Sequence, residues 1–179
     1  MTKNLIFILT TLVLSSCGTG IGVSRTYLSP IDNKFKATFD NQSYLTEGGN
    51  YYNRQMKISD FFEFPKISTD SIHLYFDSNN KLVLIFKDSL GVRTETYDGK
   101  FNKKGFYEVY IRNYKKEIPP FFPIIYSVRD IKRLRIGLTK ESELVIDNKW
   151  ARDGHILLLA GGGAGRYRSY FRPLKITQQ

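Results

Sequence analysis

Cysteine is almost absent from this chain. Cys17 is the single one in 179 residues, which excludes an internal disulfide framework. Histidine is nearly as scarce. His73 and His155 are the two in the chain, and neither is spaced with a second His, a Cys or a carboxylate in a metal-ligand pattern. No metal site and no cofactor are therefore expected. Long apolar runs are missing too. No stretch of about 18 apolar residues occurs, so a multi-span helical membrane protein is excluded. There is no Gly-x-Ser-x-Gly elbow, and Ser29, Ser71 and Ser89 stand in turn-like contexts, so a serine nucleophile has no support. Glu141 and Glu143 fall at a hairpin turn, where water denies them the dry surroundings an acid–base pair needs. No residue is assigned a catalytic role. Acidic residues are in deficit: 17 Asp+Glu face 27 Lys+Arg, a net charge of +10.

What is present begins with a leader. Lys3 precedes an apolar stretch over residues 5–14, and Ser15 and Ser16 follow. The stretch is about half the length a spanning helix needs and fits the apolar region of a secretory signal peptide. Leu14-Ser15-Ser16-Cys17 resembles a bacterial lipobox: an aliphatic residue, two small residues and a Cys. The resemblance implies cleavage before Cys17, a diacylglyceryl thioether on its sulfur and acylation of its new amino group. Several acyl chains hold durably where one is marginal, because each buried CH₂ contributes roughly 0.8 kcal/mol. The lone Cys stands where a lipobox requires one. Residues 1–16 are thus read as signal peptide and 17–33 as lipidated Cys plus a Gly-rich tether. Residues 34–179 are read as one domain. Removal of the leader takes away one Lys and leaves a charge of +9. Gly18 follows the Cys where an Asp would imply inner-membrane retention, and no acidic cluster follows. By resemblance the chain is exported and anchored in the outer membrane, facing the periplasm.

From Lys34 onward the apolar period is two. In Arg133-Leu134-Arg135-Ile136-Gly137-Leu138 the aliphatic residues point one way and the arginines the other, as in a strand with one wet face. Tyr107, Val109 and Ile111 alternate likewise. Ile72–Phe76 and Leu82–Phe86 flank Asp77-Ser78-Asn79-Asn80-Lys81, a hairpin signal. Turns are also expected at Asp98-Gly99, Lys103-Lys104-Gly105, Thr139-Lys140-Glu141-Ser142 and Asp153-Gly154. Gly161-Gly162-Gly163-Ala164-Gly165 reads as a flexible hairpin connection. Helical signal is limited to residues 53–62, which suit a short helix or a strand equally. Pro119, Pro120 and Pro123 force extended backbone and are expected to carry the chain across one end of the fold. The sum is about eight to ten short strands in an antiparallel meander, closed as a barrel or folded as a sandwich.

The second half resembles lipocalin-like β-barrel lipoproteins of Bacteroidetes-type bacteria. The residues that carry the likeness are Leu134-Arg135-Ile136-Gly137-Leu138, Glu143-Leu144-Val145-Ile146-Asp147 and Gly154-His155-Ile156-Leu157-Leu158-Leu159-Ala160-Gly161-Gly162-Gly163. The resemblance implies an all-β barrel able to hold a small apolar or amphiphilic ligand. Basic residues crowd the same half. Arg133 and Arg135 share the polar face of one strand, and Arg166, Arg168 and Arg172 share one parity near the C-terminus. On neighbouring strands they would form one positive surface, attractive to anionic headgroups or polymers through salt-sensitive Coulomb forces. An exported, lipid-anchored chain would seldom meet nucleic acid, so none is expected as a partner. The expected partners are the bilayer itself, through acylated Cys17, and an anionic envelope component or a small amphiphile. The expected role is binding or scaffolding. In the alternative, the barrel is filled and its outer surface binds an envelope protein or an anionic glycan.

Overall fold

The structure is a computed structural model that describes residues 28–64, 69–89, 91–118, 125–157 and 159–176. The leader, Cys17, and Pro119, Pro120 and Pro123 lie outside the described residues.

The described residues form strands and little else. In chain order these are β1 (Leu28–Ser29), β2 (Lys36–Asp40), β3 (Leu45–Glu47), a short helix α1 (Ile58–Phe61), β4 (Ser71–Phe76), β5 (Leu82–Asp88) and β6 (Gly91–Tyr97). They continue as β7 (Gly99–Phe101), β8 (Tyr107–Ile118), β9 (Tyr126–Thr139), β10 (Leu144–Ile156), β11 (Leu159–Phe171) and β12 (Pro173–Ile176). The strands make two antiparallel sheets. One runs β12-β2-β4-β5-β6; the other runs β3-β11-β10-β9-β8-β7, with β1 also paired to β9. The chain changes sheet between β1 and β2, β2 and β3, and β3 and β4, and again at Asp98, from β6 to β7, and at Arg172, from β11 to β12. Neither sheet closes on itself among the described residues, so the expected all-β antiparallel fold is present without a continuous barrel of hydrogen bonds.

The alternation read from the sequence decides which face is buried. Leu134, Ile136 and Leu138 of β9 and Tyr107 and Val109 of β8 turn inward and are buried. They meet Phe39, Ile72, Leu74, Leu82 and Leu84 from the other sheet. Aromatic rings fill the interior at one end, where Phe76, Phe101 and Tyr107 pack with centroids 4.7–4.9 Å apart. The Tyr107 hydroxyl donates to the Asn80 carbonyl at 2.7 Å. Asn80 itself has φ 59, the left-handed conformation the Asp77–Lys81 turn asks of it. Of residues 53–62, only Ile58–Phe61 are helical. Ile58 and Phe61 are fully buried, and the Asp60 carboxylate accepts from the Lys57 N–H at 3.2 Å.

Three expectations are corrected. The folded part begins before Lys34: Leu28 and Ser29 pair with Thr139 and Leu138, and Ile31 is buried. Asp153-Gly154 is not a turn but lies inside β10, facing Arg129 and Val128 of β9. Gly161–Gly165 is not a hairpin loop but the outer half of β11, in register with β10. At Gly163 and Gly165 the reason is the Trp150 indole, which lies across β11. A Cβ on Gly165 would fall 2.7 Å from the indole nitrogen, and one on Gly163 would fall 3.4 Å from the ring. At those two positions glycine makes room for a neighbouring ring, while Gly162 adopts φ 154 against Asp153.

Strands β8 to β11 are 12 to 14 residues long, and only their inner halves contribute to the core. Their outer halves continue as a four-stranded arm. Side chains from both faces of this arm reach solvent, and Leu159–Ala164 are exposed throughout.

Candidate functional site

The site expected from sequence consists of Arg133, Arg135, Arg166, Arg168 and Arg172. The structure divides these five into three groups. β9 and β11 are not adjacent; β10 lies between them. Residues directly opposite on antiparallel strands share a face, so register builds rows across the sheet. One row reads Glu108, Arg135, Asp147, Arg168, Glu47, from β8 to β3. Its charges alternate in sign at every step. Arg135 Nε lies 3.0 Å from Glu108. Arg168 lies 3.8 Å from Asp147 and 3.9 Å from Glu47. From the next row, Arg166 donates through Nε to Asp147 at 2.8 Å and through Nη2 to its second oxygen. The Arg166 pKa is raised, chiefly by that hydrogen bond to Asp147. Asp147 and Arg168 are buried at 3% and 2% exposure. With Arg166 included, three cations face three anions. Burial demands this match, because an unpaired charge removed from water is costly.

Arg172 stands apart at the crossing from β11 to β12. Its guanidinium lies 5.0 Å from the Tyr44 ring centroid, and its backbone carbonyl accepts from the Asp40 N–H at 3.0 Å. It anchors the corner where the chain changes sheets.

The cations with accessible charge lie farther out. The row beyond the ladder reads Tyr110, Arg133, Lys149, Arg166. Among the described residues neither Arg133 nor Lys149 has a carboxylate within 4.0 Å, and the same holds for Lys116 and Arg152. A groove of about 250 Å³ opens beside this row. Tyr110, Arg129, Ile131, Arg133, Lys149 and Trp150 are among its walls. Segments 112–118, 126–133 and 149–156, which exclude the ladder residue Arg166, together hold eight Lys and Arg against three Asp and Glu, a net +5 out of the chain's +10. Half of the excess charge therefore sits on the arm and its root, not on the buried ladder. Lys149 was not among the residues expected from sequence. It lies on a different strand from either arginine group, and only cross-strand register brings it between Arg133 and Arg166.

At the root of the arm, Lys132 turns to the inner face and is buried at 7% exposure. Its ammonium donates to the Asp60 carbonyl at 3.3 Å and to Glu63 at 3.1 Å. Burial lowers its pKa, and Glu63 counters part of that shift. Arg112 grips the same Glu63 at 3.0 Å and Asp130 at 3.0 Å, so α1 is tied to the arm through charge.

A second, shallower depression lies towards the end of the arm, where the His155 ring nitrogen Nδ1 and the Ser127 hydroxyl are 3.0 Å apart. The nearby Asp153 is occupied by Arg129, whose Nε donates to it at 3.0 Å. Among the described residues no three His, Cys, Asp or Glu side chains converge as a metal site would require. No described helix is long and apolar enough to cross a membrane. Comparison with protein families, with curated proteins and with solved structures finds no match to this chain.

Proposed function

We propose that this chain is an exported envelope lipoprotein with a non-catalytic binding role. Acylated Cys17 holds it to a bilayer, in the outer membrane facing the periplasm. The outer face of its arm engages an anionic envelope component. The observation that carries the surface reading is the separation of two kinds of cation. Arg135, Arg166 and Arg168 are consumed in a neutral ladder. Arg133 and Lys149 stand side by side above an open groove, in one row with the exposed Tyr110 that also lines it. Cations beside an aromatic wall suit an anionic glycan, which offers both charge and a face for stacking. The filled interior, with Tyr107, Phe39, Phe61 and Phe171 fully buried between the sheets, favours surface binding over an amphiphile carried inside. The reading needs only a two-sheet body, for which a sandwich serves as well as an open barrel.

Two measurements test it. Cys17→Ala should abolish labelling by a palmitate probe and release the protein from membranes; continued labelling sinks the anchor. For the surface, the probe is dextran sulfate titrated at low and high salt. Arg133→Ala with Lys149→Ala should weaken binding and flatten its salt dependence. Unchanged binding by that double variant overturns the groove.

A further inference from the structure

The far end of the arm is apolar, in a place where sheets are usually polar. The last row of the four strands reads Ile118, Tyr126, Ile156, Leu159, from β8 to β11. Ile125 and Leu157 adjoin it, linked by a hydrogen bond from the Leu157 N–H to the Ile125 carbonyl at 2.7 Å. Five of these six are exposed aliphatics: Ile118 41%, Ile125 53%, Ile156 61%, Leu157 61% and Leu159 82%. Ile156 pairs with Leu159, so β10 and β11 are joined by a two-residue turn. Such turns favour Asn or Gly because they need positive φ. Here Leu157 occupies that conformation at φ 53. A strained backbone and an exposed aliphatic side chain are both unfavourable for the isolated protein, and they coincide at one residue.

A collar of cations stands behind the apolar end. Lys116 is two residues from the terminal row, Lys115 and Arg129 three, and Arg152 four. Lys115 is held by Glu117 at 2.8 Å and Arg129 by Asp153, so the net positive charge of the collar rests on Lys116 and Arg152. At about 3.3 Å per residue these lie roughly 7–13 Å back from the tip. That is about the depth at which lipid headgroups begin when the end side chains reach the acyl region. Lys116 and Arg152 have no carboxylate within 4.0 Å among the described residues. Tyr114, 52% exposed, and Tyr126 add the amphipathic rings that favour a membrane interface.

We infer that the tip of the arm inserts shallowly into a bilayer containing anionic lipid. Leu157, Ile156 and Leu159 enter the acyl boundary, and Lys116 and Arg152 meet the headgroups. Size argues against a protein as occupant. Four strands span about 14 Å at the tip, whereas a stable protein interface takes about 800 Å² from each partner. A few apolar side chains with a basic collar suffice for a lipid surface. β1, where the described chain begins, pairs with Thr139, at the opposite end of β9 from Tyr126. Thirteen residue steps along β9 set these ends about 43 Å apart.

The test uses residues 18–179, which omit Cys17 and the leader. Every core residue among the described residues lies between Ile31 and Phe171, and residues 18–179 contain all of them. The probes are vesicles of phosphatidylglycerol mixed with phosphatidylcholine, and vesicles of phosphatidylcholine alone. Sedimentation should show binding to the mixed vesicles that weakens with salt. Leu157→Asp and Ile156→Asp should each lower the affinity by about tenfold or more, since burial of one aliphatic side chain is lost. Lys116→Glu with Arg152→Glu should weaken binding and remove most of its salt dependence. Leu157→Trp should give indole emission that shifts to the blue when mixed vesicles are added. Wild-type affinity in both Asp variants, or an unshifted Leu157→Trp emission, overturns the inference. So does an oligomer that Leu157→Asp dissociates without changing vesicle binding; the tip would then join copies of the chain. Because the tested chain lacks Cys17, none of these outcomes bears on the anchor.

Discussion

Asp147→Asn is the sharpest test of the charge ladder. The substitution keeps the shape of the side chain and removes the one anion shared by Arg166 and Arg168. Arg168 lies 3.8 Å away and is 2% exposed, so its charge would lose a close partner with little water to replace it. At an effective dielectric of about 20, an ion pair at 3.8 Å is worth about 4 kcal/mol. Two features reduce the loss. Arg166 retains 28% exposure and can hydrate, and Arg168 keeps Glu47 at 3.9 Å. The expected destabilisation is about 3 kcal/mol, at the lower end for breaking a buried pair from one side. Urea unfolding of residues 18–179, followed by Trp150 fluorescence and circular dichroism, reads it directly. With a slope of about 2 kcal/mol per molar, the midpoint should fall by about 1.5 M with the slope unchanged. Asp153→Asn is the internal control. Its partner Arg129 and Asp153 itself are 47% and 38% exposed, so that loss should stay below about 1 kcal/mol. A loss below about 1 kcal/mol for Asp147→Asn as well would refute the reasoning, because the ladder would then behave as a solvated surface pair.

Leu157→Asn should stabilise the isolated protein by up to about 1 kcal/mol, since Asn tolerates the left-handed conformation better. A thermal melt checks it, and a lower melting temperature would argue against strain at the turn. The His73 pKa is lowered, first by burial and then by Lys36, while its ring nitrogen meets the Thr38 hydroxyl at 2.9 Å. The folded state thus favours the neutral ring. Stability held above the ordinary value of 6.5 should be lost as pH falls from there through the lowered folded value. His73→Gln should flatten that acid limb, as read by urea midpoints at several pH values. Burial raises the Tyr97 and Tyr167 phenols from 10.0 to about 12. Neutral phenol is favoured when folded, so this contribution is complete below pH 10 and is lost as pH rises towards about 12. Absorbance at the phenolate band should show some of the 12 tyrosines ionising late and together with unfolding. A single native step near the ordinary value would contradict the burial.

Much of the fold was readable because a strand's period is local. Leu134, Ile136 and Leu138 declare their face in six residues, and the Asp77–Lys81 turn declares itself by its side chains. The errors came where the deciding partner is distant. Gly161–Gly165 looks like a loop until it is seen paired to β10, with Gly163 and Gly165 leaving space for Trp150. Leu157 looks like strand interior because an aliphatic residue is an improbable choice for a left-handed turn. The candidate arginines were recognisable as a cluster, but parity along one strand cannot say that Asp147 lies between Arg135 and Arg168.

By itself the sequence determined the all-β class, the inward face of the core strands and the excess of positive charge, since each follows from neighbours in the chain. It also raised the expectation of lipidation at Cys17. Only the tertiary structure decided the arrangement of two sheets, the division of arginines between a neutral ladder and an open patch, and the exposed apolar tip. Those depend on register between strands, and register is fixed by residues far apart in sequence meeting in one core.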